Sequence, residues 1–196
     1  MTFLNKKTCI AAILVTCSCS NLPNEVYLDA LRPIYQKFNR SSLEDFKSEY
    51  SSVYVQIGDL EAVLILKEIL SDGITYRWAG KDNVFIDTIN GKIVKTRGLE
   101  RNIELVDANK SFITNFSQSY LLTVNFFNPE LYSVTAKSTT KRDLVDGKSV
   151  VSEVVTFEGI NFKVENKFYL DENNNTSHAI QKIHPYLEKI KMDFKY

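Results

Sequence analysis

The sequence predicts a mainly β domain, antiparallel, curled into a twisted sandwich or a partly closed barrel and preceded by short N-terminal helices. Three observations carry this expectation. After Ser52, short runs rich in β-branched and aromatic residues are separated by turn signals every 8 to 15 residues or so, which suits antiparallel sheet and not a βαβ repeat. The last run alternates, with Ile190, Met192, Phe194 and Tyr196 set against Lys189, Lys191, Asp193 and Lys195, so one face is apolar and the other wet. Asn90-Gly91 stands between two strand-like runs, and both residues tolerate the positive φ of a two-residue type I′ hairpin. The 196 residues, 44% apolar and 12% aromatic, make one domain with material for a sizeable core. So many adjacent strands must fold over to cover their apolar faces.

Taken from the N-terminus, the chain opens with Lys6 and Lys7 and then an uncharged, largely apolar run over residues 8–16. This is too short for a bilayer core of about 30 Å, which needs about 20 apolar residues, so residues 1–16 read as a signal peptide. Leu14-Val15-Thr16-Cys17-Ser18-Cys19 resembles a bacterial lipoprotein box, cut just before the cysteine that takes the lipid. Cys17 is the expected site. Thr16 is bulkier than the Gly, Ala or Ser usual at that place, so Cys19, preceded by Ser18, is the fallback. An ordinary signal peptide with two incidental cysteines, or a Cys17–Cys19 bridge, is the alternative. By resemblance to Gram-negative lipoproteins, Ser18 after the cysteine implies export to the outer membrane. Acyl chains such as palmitate would hold the chain there at about 0.8 kcal/mol per buried methylene. Removal of residues 1–16 leaves 22 basic against 24 acidic groups, a mildly acidic surface.

Residues 17–40 read as a lipid-anchored tether and helical segment. Val26, Leu28, Leu31 and Tyr35 mark an apolar stripe there, and Pro33 predicts two short pieces or a kink. A single β-rich domain spans 41–196. It begins with a capping box, Ser41-Ser-Leu-Glu44, and a short helix to about Tyr50. Strands are expected over 53–57, 62–70, 74–79, 84–89, 92–97, 120–127, 132–141, 150–158, 161–170, 177–184 and 187–196. Gly58-Asp59, Ser71-Asp72-Gly73, Asp146-Gly147, Glu158-Gly159 and Asp171-Glu-Asn-Asn-Asn175 supply turns between them. Phe162, Val164, Phe168 and Leu170 form a second alternating face, interrupted by Asn166 and opposed by Lys163, Glu165 and Lys167.

Charges balance at 24 basic and 24 acidic residues, which gives no surplus for a sequence-independent nucleic-acid binder. The cysteines stand at 9, 17 and 19, so the rest of the chain forms no internal disulfide and no cysteine-rich zinc site. The two histidines, His178 and His184, fall in one strand-like run and are expected on the wet side of an edge strand. No serine-hydrolase elbow, phosphate loop, zinc-protease motif or dinucleotide glycine pattern occurs. The pairs Glu44-Asp45, Asp171-Glu172 and Glu61-Glu68 lack the surroundings of a glycosidase dyad, and the loop at 171–175 lacks the glycine and terminal glutamate of a calcium hand. No catalytic residue, metal or cofactor is assigned. Ten tyrosines, twelve phenylalanines and Trp78 suit either a β core or a sugar-stacking platform, and Tyr76 and Trp78 are expected on one side of their strand with Arg77 opposite.

Ile74-Thr-Tyr-Arg-Trp78, followed by Val84-Phe-Ile-Asp-Thr-Ile-Asn-Gly-Lys-Ile-Val-Lys-Thr-Arg-Gly-Leu99, resembles the core signature of the YjbF/GfcB/YmcC family of group 4 capsule and exopolysaccharide lipoproteins. Lys92 stands where that signature usually has arginine, keeping the charge and losing the planar fork. Tyr50-Ser-Ser-Val-Tyr-Val-Gln-Ile-Gly58 and Asn166-Lys-Phe-Tyr-Leu-Asp171 resemble the family's first strand and its late aromatic strand. The resemblance implies an outer-membrane lipoprotein facing the periplasm, beside polysaccharide-export proteins that include an outer-membrane β-barrel, and no established catalytic residue. The favoured expectation is a non-enzymatic accessory that docks to envelope partners in capsular or extracellular polysaccharide export or assembly. Its candidate surface is the Asn90-Gly91 hairpin with Lys92, Lys95 and Arg97. The alternative is a periplasmic glycan- or lipid-binding module whose β cavity is walled by Tyr76 and Trp78. An envelope enzyme would need convergent carboxylates or a perturbed histidine pair in a cleft.

Overall fold

The computed structural model describes residues 50–106 and 119–196, and its regular elements there are all strands. The expected signal peptide, tether and helices, with Cys17 and Cys19, lie outside the described residues. The strands are β1 (Ser52–Ile57), β2 (Leu60–Ile69), β3 (Thr75–Ala79), β4 (Phe85–Ile89), β5 (Lys92–Arg97), β6 (Asn102–Leu105), β7 (Ser119–Phe127), β8 (Leu131–Val145), β9 (Lys148–Phe157), β10 (Phe162–Leu170), β11 (Thr176–Gln181) and β12 (Ile190–Lys195). Each is hydrogen-bonded to its neighbours in sequence, and β1 pairs with β12 to close an antiparallel barrel. Closure removes the unpaired edges that an open sheet of this size would expose.

All eleven expected strands are present, with ends shifted by a few residues. The one not anticipated is β6, only four residues long and too short to show a period, although its Ile103 is buried. β11 stops at Gln181, because the next backbone N–H, that of Lys182, goes to the Asn166 side chain at 2.9 Å and the chain then turns over Pro185. The alternation in β12 holds: Ile190, Met192 and Phe194 are buried while Lys191, Asp193 and Lys195 are exposed. Tyr196 lies just past the strand, half exposed. Phe168 and Leu170 also point inward, and so does Asn166, which therefore has to find polar partners inside.

An up-and-down barrel places alternate turns at opposite ends. Tyr50, Tyr196 and the turns β2–β3, β4–β5, β8–β9 and β10–β11 share one rim, the proximal one, where the chain enters from its N-terminal segment. The turns β1–β2, β3–β4, β5–β6, β7–β8, β9–β10 and β11–β12 form the distal rim.

The barrel is pinched across its interior. β5 and β11 stand opposite each other, with five strands between them in either direction, yet they touch. β5 carries an extra residue, Val94, where Asp87 pairs with Lys95 and Thr88 with Ile93. At this bulge the Ile93 N–H donates across the interior to Gln181 Oε1 at 3.0 Å, and Gln181 Nε2 donates to the Gly91 carbonyl at 2.8 Å. Thr176 Oγ1 donates to the Asn90 carbonyl at 2.7 Å, so the hairpin tip rests on the start of β11. Asn90 and Gly91 have φ of 43° and 79°, the positive pair a type I′ turn requires. A Cβ on Gly91 would lie 2.5 Å from the Thr176 side chain, so only glycine lets the tip approach so closely. The pinch divides the interior into one lobe behind β12 and β1–β4, filled by Trp78, Val53, Leu64 and Phe194, and another behind β6–β10, filled by Phe126, Val124, Val155 and Phe157.

Candidate functional site

The structure gives the residues of the two candidate sites very different surroundings. Trp78 is fully buried, its ring centroid 5.6 Å from Phe194 and 6.2 Å from Tyr76, and its Nε1–H donates to Thr88 Oγ1 at 2.8 Å. Tyr76 is half-buried, stacked on Trp78 and edge-on to Tyr196. These aromatics are core and rim packing, as an inward-facing tryptophan with a satisfied N–H should be. Asn90 is half-buried and Gly91 buried at the pinch. Lys92 points inward and is buried, so it offers no surface charge. Only Lys95 and Arg97 remain exposed. Lys95 belongs to a ladder of alternating charge across β2–β6, in which Glu68 pairs with Arg77 at 2.9 Å, Arg77 with Asp87 at 2.8 Å and Lys95 with Glu104 at 2.6 Å. Such pairs fix cross-strand register more than they attract a partner.

Lys92 reaches the most polar point of the interior. Its Nζ lies 2.5 Å from Glu153 Oε1, on the β9 strand across the second lobe. The same oxygen accepts from Ser138 Oγ at 2.6 Å and the Tyr120 hydroxyl at 2.9 Å, and Oε2 accepts from Asn166 Nδ2 at 3.1 Å. Burial pushes the Glu153 carboxyl upward, but the Lys92 ammonium and the hydrogen bonds from Lys92, Ser138 and Asn166 together outweigh it and hold the group below the ordinary carboxylate range. The Tyr120 hydroxyl moves the other way, pushed up by burial and by the Glu153 charge. Glu153 therefore stays ionised, a fixed anion that ties the hairpin to β7, β8 and β10. Thr140, directly opposite Glu153 in the β8–β9 register, has a buried hydroxyl with no partner among the described residues.

The histidines do not share a face. His178 lies on the outer surface of β11 with its Nδ1 2.6 Å from Asp193 Oδ1, and β11 is no edge strand. His184 is buried past the end of β11, edge-on to Phe126 at 5.2 Å. Its Nδ1 accepts the Tyr186 N–H at 3.2 Å. Burial, aided by the Arg101 and Lys182 charges, lowers its pKa to about 4, so the ring is neutral with its proton on Nε2. Above it, Tyr186 is 69% exposed and lies against the Arg101 guanidinium, 5.8 Å from ring centroid to Cζ. Arg101 Nη1 donates to the Asn128 carbonyl, and Tyr132, also exposed, packs edge-on to Phe127. This distal cluster comes from three separate turns, so no sequence motif announces it. Exposed aromatic side chains next to a partly exposed arginine are the composition of contact hot spots.

Among the cavities lined by described residues are two small ones, one in each lobe. That behind β1, β2 and β4 is about 40 Å³ and that beside Lys92, Glu153 and Asn166 about 30 Å³. Either admits a water or two, far short of the roughly 300 Å³ at which ligand pockets begin. Trp78 and Tyr76 line neither of them.

Comparison with known proteins adds two findings. A family model described as YjbF, group 4 capsule polysaccharide lipoprotein gfcB, matches residues 38–194. Among solved structures, the hypothetical lipoprotein YmcC from Escherichia coli K12 superposes with a TM-score of 0.65 at 20% identity, covering 80% of this chain and 93% of that one. At that identity the likeness shows the fold alone. No curated protein matches.

Proposed function

The chain belongs to the YjbF family of group 4 capsule polysaccharide lipoproteins, and on that premise we propose that it is a non-enzymatic accessory of capsular or extracellular polysaccharide export or assembly. It is held at the outer membrane, facing the periplasm, by a lipid on Cys17, with Cys19 as the fallback. It works by docking to export proteins, an outer-membrane β-barrel among them. The family match across residues 38–194 is the observation that carries this reading. The apolar packing of the interior among the described residues supports it, because it leaves the outer surface for a partner to meet. The distal cluster of Tyr186, Tyr132 and Arg101 is the exposed surface whose composition suits that contact.

Mild cross-linking of the anchored protein in its native envelope, with protein and carbohydrate both recovered and analysed, tests the proposal. Recovery of an outer-membrane barrel with export components, reduced by Tyr186→Ala, is expected. Recovery of a defined glycan on the purified protein alone would replace docking with direct glycan binding. Changing Cys17 to Ala should abolish acylation and release the protein from membranes, whereas normal acylation in that variant would move the site to Cys19.

A further inference from the structure

Twelve large apolar side chains stand exposed among the described residues, and their distribution between the two rims is uneven. Eight lie at the proximal rim or in the strand residues that reach it, against three, Leu131, Tyr132 and Tyr186, at the distal rim. Leu144 is 79% exposed, Tyr50 69%, Tyr196 52% and Ile69 50%. They do not form one flank. Ile69 and Ile74 flank the β2–β3 turn and Leu144 and Val145 end β8, and β2 and β8 face each other across the ring with five strands between them either way. Scattered exposed apolar residues are ordinary, but two groups on opposite sides of one end of a barrel call for an occupant that meets both sides of that end at once.

We propose that the proximal rim sits on a lipid surface, with Leu144, Val145, Ile69, Ile74, Tyr50 and Tyr196 at headgroup level and the distal cluster turned away from the membrane. A bilayer surface is planar on the scale of this barrel, so it can touch opposite sides of the rim together. Tyrosine and aliphatic side chains are the types that partition into the boundary between headgroups and acyl chains, reaching about 5–10 Å in. The chain enters at this same rim, through Tyr50. The anchor by itself does not choose the orientation. The 32 residues between Cys17 and Tyr50 could reach about 110 Å if extended, enough to let either rim face the lipid. The apolar side chains break that tie. The strands then stand off the membrane, and the distal rim is held roughly 30 Å away, where a periplasmic partner can reach Tyr186 and Arg101.

The inference takes from the proposed function only the attachment of the N-terminus to a membrane, and the test supplies that attachment independently of acylation. The mature chain, with Cys17 and Cys19 changed to Ser and a hexahistidine tag ahead of residue 17, is bound to phosphatidylcholine vesicles containing nickel-chelating lipid and a headgroup-level nitroxide lipid. An environment-sensitive fluorophore is placed in turn at Ser71→Cys, Lys148→Cys and Glu158→Cys, which are exposed positions on opposite sides of the proximal rim and on the distal rim respectively. Quenching several-fold stronger at Ser71 and Lys148 than at Glu158 is expected, with water-like emission at all three sites before vesicles are added. Adding Ile74→Ser and Leu144→Ser should erase the difference while the fold, followed through Trp78 fluorescence, persists. Equal quenching at the three positions, stronger quenching at Glu158, or a proximal rim already shielded before lipid is present would each overturn the proposal. Loss of acylation in the native envelope would count against the proposed function and leave this orientation standing.

Discussion

Replacing Lys92 with Met leaves a carboxylate stranded inside the barrel. Glu153 has no exposed surface and Lys92 almost none, and their charged atoms are 2.5 Å apart. Ser138, Tyr120 and Asn166 would still donate to the carboxylate, but they are neutral and cannot offset the cost of a buried ion. Removing one partner of a buried pair costs about 3–5 kcal/mol, and that is the loss expected for Lys92→Met near neutral pH. The sign of its pH dependence follows from the groups themselves. In the natural chain Glu153 is held below the ordinary range, so its contribution is present above the unfolded carboxylate value and is lost as pH falls through the lower folded one. Without Lys92, burial acts unopposed by a cation and raises the carboxyl, so the deficit should shrink as pH falls and Glu153 takes up a proton. The double variant Lys92→Met with Glu153→Leu removes both charges and should recover most of the loss. Urea unfolding followed by the fluorescence of Trp78, the only tryptophan and a buried one, measures all three chains. A single-variant loss below about 1 kcal/mol, or a double variant no better than the single, would refute the assignment of Glu153 as an ion held by Lys92.

Gly91→Ala should lower the thermal unfolding midpoint, because its Cβ meets the Thr176 side chain at 2.5 Å and the left-handed backbone adds about 1–2 kcal/mol; an unchanged midpoint would mean the hairpin tip does not rest on β11. His184 titrates at about 4 in the folded chain and near 6.5 when unfolded, so the unfolded state takes up the proton first as pH falls. Stability should therefore be flat above pH 6.5 and drop by on the order of 3 kcal/mol between there and pH 4. His184→Gln, which keeps an acceptor for the Tyr186 N–H, should flatten that fall, and identical pH profiles for the two chains in urea unfolding would contradict the burial of a neutral imidazole.

Much of this protein was legible along the chain. Period-two alternation placed β12 and its buried face, and Asn90-Gly91 fixed a hairpin whose partner strands, 84–89 and 92–97, agree closely with β4 and β5. The lipoprotein box and the tryptophan-hairpin signature pointed to the family, because both are local patterns that need no partner elsewhere. β6 escaped because four residues hold too little pattern to stand out.

What the sequence could not carry was the meaning of its polar residues. Lys92 beside a turn looks like a surface charge, and becomes an internal one because a bulge at Val94 and a glycine at the tip let the hairpin fold across the barrel toward Glu153, 61 residues further on. Asn166 looks like a break in an apolar face until Glu153 and the Lys182 N–H claim its side chain. Trp78 looks equally suited to a sugar platform or a core, and is core because closure of β1 on β12 brings Phe194 and Tyr196 against it. Alternation and turn chemistry are properties of neighbours in sequence, so the chain determines them alone. Which charge is buried, which ring is covered and which rim is apolar depend on strands that meet only when the barrel closes, and the tertiary structure decided those.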